Sequence, residues 1–178
     1  MKKTIYTNHR GISIIEALVT LSIIALGLIP ILGIAVLSLQ ISSRIKNNLI
    51  GTNLAQEGIE IVRALRDEDW FRYTCFGSAC SNGNLIGTWK IQHDSNLSAN
   101  PPQPIGSNPP LNINGSGIYT YGIGTPTGFT RKVIVTEVKP GVELKIISTV
   151  EWPSTTTVQG CSPRKSCITI ESHLFNWL

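Results

Sequence analysis

Residues 17–39 read ALVTLSIIALGLIPILGIAVLSL, 23 consecutive positions without a charge, in which Thr20, Ser22 and Ser38 are the only polar side chains. About 20 apolar residues are enough to cross the hydrocarbon core of a bilayer. A soluble core helix of this length would carry a polar face. None is visible, so the run reads as a membrane helix. Only 15% of the 178 residues are charged, against roughly 25% in ordinary soluble domains. That excludes a disordered polyelectrolyte. The net charge of +4 is small and scattered, which argues against a dedicated nucleic-acid binder, where a stripe of Lys and Arg is expected.

The flanks narrow the reading further. MKKTIYTNHRG precedes the run and brings Lys2, Lys3 and Arg10. A basic tip ahead of an apolar run marks a secretory signal or a signal anchor with a cytoplasmic N-terminus. Beyond the run, Arg44 and Lys46 offset part of that asymmetry. The run exceeds the 7–15 residues of a signal core, no Cys follows it to mark a lipoprotein cut, and a carboxylate, Glu16, stands at its head. A charge inside a membrane helix costs about 2.5–3.5 kcal/mol on insertion scales. One reading leaves Glu16 at the interface with its head group in water. The other begins with a cut after Gly11, which would make Ile12 a free ammonium four residues before Glu16. Four residues is one helical turn, so both charges would share a face. In a bundle, Glu16 of one copy would neutralise the Ile12 ammonium of its neighbour. A pair in low dielectric is far stronger than one in water, and it fixes axial register.

Arg10-Gly11-Ile12-Ser13-Ile14-Ile15-Glu16-Ala17-Leu18 resembles the class III signal of type IV pilins and of the pseudopilins of type II secretion and competence systems. The resemblance implies cleavage between Gly11 and Ile12 by a membrane aspartyl peptidase on the cytoplasmic side. It also implies N-methylation of Ile12 and an assembly role for the Glu16 carboxylate. The implied partners are other pilin or pseudopilin subunits, the prepilin peptidase, an inner-membrane assembly platform and membrane lipid, with no cofactor and no specific nucleic acid. The implied location is a single-pass membrane protein with a cytoplasmic N-terminus and an extracytoplasmic head, displayed on a surface filament after assembly. Major pilins usually have Phe where this chain has Ile12, a departure that favours a minor pilin or pseudopilin. Pro30, between Gly27 and Gly33, is expected to kink the helix. In pilins a Pro-containing stretch at similar depth unwinds as subunits pack; a tolerated kink in a membrane helix is the other reading.

Past the apolar run, Ile45, Leu49, Thr52, Ala55, Ile59, Val62 and Leu65 recur at helical spacing. One helix is therefore expected from about Ser13 to Arg66, with its second half amphipathic. The domain reading is a leader at 1–11, a helical region at 12–69 with a transmembrane part of about 12–41, and a β-rich head at 70–178. Asp67, Glu68 and Asp69 read as a solvated turn rather than a cation site. Residues 94–128, rich in Pro, Asn, Gly and Ser, read as loop. Phe129–Val138 and Val142–Trp152, separated by Lys139-Pro140-Gly141, read as an antiparallel hairpin. Cys167–Phe175 is a third strand and Asn84–Gln92 a weaker fourth. The fold class is α+β: a long N-terminal helix packed on a small antiparallel sheet.

Four Cys stand as two near pairs, Cys75 with Cys80 and Cys161 with Cys167. If the chain beyond Leu39 lies outside the membrane, disulfides persist there, and two local bridges are the favoured of three connectivities. A four-thiolate zinc site is the rival, with looser spacings than usual. His9 lies in the leader, and neither His93 nor His173 has a partner acid at a recognisable spacing. No Gly-x-Ser-x-Gly, phosphate loop or His-Glu-x-x-His is present. Neither an enzyme nor a metal site is expected. Trp70, Trp89, Trp152 and Trp177 read as core and rim aromatics. Two classes of function remain: a filament subunit, and a membrane-anchored monomeric adhesin or binding module. Without the leader, 12 Lys plus Arg face 11 acids, a balance that does not favour electrostatic capture of DNA.

Overall fold

A computed structural model describes residues 13–80, 85–155 and 158–176. One helix, α1, runs Ile14–Tyr73. A 3-10 turn at Gly77–Ala79 follows, and then eight strands: β1 Gly87–Lys90, β2 Gln103–Pro104, β3 Asn112–Ile113, β4 Tyr119–Thr120, β5 Thr125–Pro126, β6 Thr130–Lys139, β7 Glu143–Pro153 and β8 Lys165–Phe175. The fold is α+β, as the sequence predicts. The chain divides into two units at Ile45/Lys46.

In the first unit every described side chain is exposed, Ile14 at 83% and Leu39 at 73% among them. The helix persists there because Leu and Ala favour it and no residue terminates it.

The second unit is built around a five-stranded antiparallel sheet in the order β2-β1-β6-β7-β8. The long hairpin β6–β7 turns where the sequence places it. Val142 N–H donates to the Lys139 carbonyl at 3.0 Å, with Pro140 at the first central position and Gly141 at φ +67° at the second. That is the residue choice of a type II turn, because the second position needs positive φ. Inward residues Val133, Val135, Leu144, Ile146 and Leu174 pack against Ile59, Ile61, Val62 and Leu65 of α1. Leu54 and Ala55 join Leu111, Phe129, Val150 and Trp152 in a second cluster.

Four expectations shift. The buried face of α1 is offset from the expected stripe. Ala55, Ile59, Val62 and Leu65 are buried, but Ile45 and Leu49 are exposed, and the face is completed by Gly51, Leu54, Gly58 and Ile61. Counting only apolar residues at helical spacing passes over glycines, which here bring backbone close to the sheet. The helix also outlasts Arg66 by two turns. It stops at Tyr73 because Thr74 turns to φ +51°, a conformation that cannot continue a right-handed helix. The fourth strand is Gly87–Lys90 within the expected 84–92, and β8 starts at Lys165 rather than Cys167. Finally, the Pro-rich 94–128 region holds β2 and a separate three-stranded sheet, β4-β3-β5. Two-residue strands leave no periodicity to read. β2 pairs with β1, and β3 pairs with β4 and β5. Beside β3 the fully buried Leu111 donates its N–H to the Phe129 carbonyl at 2.7 Å, and its carbonyl accepts from Thr127 N–H at 3.0 Å.

Candidate functional site

Glu16 stands in the first turn of α1, where a carboxylate meets the positive end of the helix dipole. It is the only charged residue from Ser13 to Ser43. The next two polar side chains on α1 are turned back onto the helix. Thr20 Oγ1 donates to the Ala17 carbonyl at 2.9 Å, and Ser22 Oγ donates to the Leu18 carbonyl at 2.8 Å. Such bonds satisfy hydroxyls where no water is at hand. The helix passes through Pro30 as one continuous element, although a proline there supplies no N–H for the carbonyl four residues earlier. A side-chain carbon added at Gly27 or Gly33 would meet no atom within 4 Å. Gly11 and Ile12, the expected cleavage and methylation position, lie outside the described residues, as do the leader and Trp177.

The second unit reverses these conditions. A Cβ at Gly51 would lie 2.6 Å from Cζ3 of Trp152, and one at Gly58 would lie 2.6 Å from Ser148 Oγ and 3.1 Å from Val133 Cγ2. Between the helix and β6 sits Arg131, fully buried. Its guanidinium pairs with Glu57 Oε2 at 3.1 Å, donates to the Leu54 carbonyl at 3.1 Å, and donates a short bond to the Ile91 carbonyl. Tyr121 Oη donates to the Arg131 carbonyl at 3.0 Å, and burial pushes that phenol up against the opposing pull of the guanidinium. Sequence reasoning passed over Arg131. The available signal was its parity, since it shares the inward face of β6 with Val133 and Val135.

The acidic run is not a solvated turn. It lies inside α1, and helical geometry sends its three members in different directions. Asp67 pairs with Arg66 Nε at 2.6 Å. Glu68 pairs with Arg72 at 2.9 Å and accepts the Leu97 N–H at 3.0 Å. Asp69 is buried, only 2% exposed, and its Oδ1 has no hydrogen-bond partner among the described residues. Burial, with the charge of Glu68 second, pushes its pKa up to about 6. The cysteines form the two local bridges, Cys75–Cys80 and Cys161–Cys167, so the four do not converge on one zinc.

His173 does have partner acids, one supplied across the sheet by β7 and one two residues back on its own strand. Its Nδ1 is 2.6 Å from Glu143 on β7, and its Nε2 is 3.1 Å from Glu171. Lys145 reaches the same Glu171 oxygen at 2.8 Å. The hydrogen bond to Glu171, then that to Glu143, holds the imidazole above its usual pKa. Sheet register pairs Glu143 with Phe175 and Lys145 with His173, which no spacing in the sequence discloses. His93 is exposed in a turn. Of the tryptophans, Trp152 is core, Trp89 is half-buried with Nε1 donating to the Leu85 carbonyl, and Trp70 lies at the rim. Compared with protein-family models, curated proteins and solved structures, the chain matches none.

Proposed function

We propose that this chain is a structural subunit of a surface filament or secretion pseudopilus, a minor pilin or pseudopilin. It is held in the membrane as a precursor, cut after Gly11, and assembled through α1. The observation that carries this reading is the pairing of one acid with one unpartnered apolar helix. From Ser13 to Ile45 every side chain is exposed, and Glu16 is the sole charge before Arg44. A helix of that composition is long and apolar enough to cross a bilayer, and lipid covers its sides. Lipid offers nothing to the carboxylate. A new ammonium at Ile12, one turn away, does.

In this reading the neighbouring subunit supplies the cation and Glu16 sets the axial register. The exposed Leu and Ile side chains exchange lipid for other copies of α1, and the head faces outward. Both cysteine pairs are bridged, which accords with an oxidising compartment on the head side. Proline at 30, flanked by Gly27 and Gly33, leaves a point where α1 can loosen during packing.

The decisive variant is Glu16→Ala. It is expected to insert and be processed like the parent but to be absent from sheared filaments or pseudopilus fractions, while Glu16→Asp retains part of the assembly. Normal incorporation of Glu16→Ala removes the charge-pairing role and favours the monomeric anchored adhesin.

A further inference from the structure

We propose that Asp69, Cys75 and Cys80 form a buried metal site that the Cys75–Cys80 bridge masks, so that the disulfide and a thiophilic divalent cation such as Zn²⁺ are alternative occupants of one place. One carboxylate oxygen and the two sulfurs lie within 4.8 Å of one another. Asp69 and Cys80 are buried and Cys75 is half-buried. The α carbons of the cysteines are 5.3 Å apart. In a tetrahedral zinc site two thiolates stand about 3.7 Å from each other, given Zn–S bonds of about 2.3 Å. Parting the sulfurs to that separation asks for a local opening, not a new fold.

The second observation is the state of Asp69. Its Oδ1 is buried without a hydrogen-bond partner among the described residues, and an acceptor left in that condition costs about 1–3 kcal/mol. The side chain belongs to the last turn and a half of α1, with Arg66, Phe76, Leu85 and Leu144 around the same small void. There is no space in it for a water, so solvent does not supply the missing bond. A cation between the sulfurs does. The donor set, one carboxylate oxygen with two thiolates, suits Zn²⁺ and excludes Mg²⁺ and Ca²⁺, which take oxygen ligands. These three donors fill three of the four positions of a tetrahedral site.

The chemistry balances with a dithiol as reductant. The dithiol gives two electrons and two protons to the Cys75–Cys80 bond and leaves as its own disulfide. Binding of Zn²⁺ to the two thiols then releases both protons. The metal state therefore belongs to the reduced chain, before the bridge has closed or after a dithiol has opened it.

The test uses the full chain in detergent and Co²⁺ as a spectroscopic substitute for Zn²⁺. The reduced protein, freed of reductant, is expected to bind one Co²⁺ with an intense thiolate-to-cobalt charge-transfer band, and the oxidised protein to show none. Cys161→Ser/Cys167→Ser should retain the band, and Cys75→Ser/Cys80→Ser should lose it. Asp69→Asn, which keeps the shape of the side chain, should weaken binding by about tenfold or more, with an unchanged circular dichroism spectrum. The proposal is overturned by a reduced wild-type chain without the band, by equal affinity in Asp69→Asn, or by loss of the band in Cys161→Ser/Cys167→Ser. If that double variant does not fold, selective alkylation decides: bound Zn²⁺ should protect Cys75 and Cys80, and equal labelling of all four overturns the site.

Discussion

Residues 14–45 and 46–73 belong to one helix but answer to different surroundings. The first stretch is apolar on every side and buries nothing. The second is mixed in composition, yet it is buried along Gly51, Leu54, Ala55, Gly58, Ile59, Ile61, Val62, Leu65, Arg66 and Asp69. Hydrophobicity therefore says little about which stretch packs within the chain. In the apolar stretch the described part of the chain covers none of the side chains. In the mixed stretch small residues let the sheet approach, and a polar group from the facing strand, Arg131, is tied to Glu57 and the Leu54 carbonyl of the helix. The same residue type thus has opposite meanings in the two places. Gly27 and Gly33 face open space, whereas Gly51 and Gly58 are contact points.

The largest stability effect is expected at the tie between helix and sheet. Arg131→Ala removes a fully buried side chain and strands Glu57 and two carbonyls, at about 3–5 kcal/mol in denaturant unfolding of the head. Ile24→Ala, in the exposed stretch, should leave that transition within about 0.5 kcal/mol of the parent. Equal losses would erase the distinction between the stretches. Next come the glycines. Gly51→Ala meets the Trp152 ring and should cost about 1–3 kcal/mol, while Gly27→Ala should not shift head unfolding, as followed by tryptophan fluorescence.

The smallest effect concerns His173. Its folded pKa is raised, so the stabilisation from its carboxylate partners is complete below the ordinary value of 6.5. It is lost as pH rises through the higher folded-state value. Glu171→Gln should lower the His173 pKa more than Glu143→Gln does, read by NMR titration of the ring protons, because the Glu171 hydrogen bond is the larger cause.

Much of this architecture was legible from short-range pattern. The apolar run, the hairpin about Pro140-Gly141 and the pairing of near cysteines are all properties of neighbours in sequence. What escaped was set by distant partners. Arg131 looks like a surface residue until the parity of β6 is counted against the helix above it. His173 gains Glu143 only through β7–β8 register, and Asp69 is separated from Asp67 and Glu68 only once α1 is known to continue to Tyr73. The Pro-rich segment hid a second sheet because its strands are two residues long and are held by pairing of β3 with β4 and β5.

Mass spectrometry of the protein extracted with detergent from the cells that make it addresses the starting point of the proposed assembly scheme. A chain beginning at Ile12, with or without one added methyl group, is expected. A chain that retains Met1–Gly11, or one that begins beyond Leu39, would contradict it.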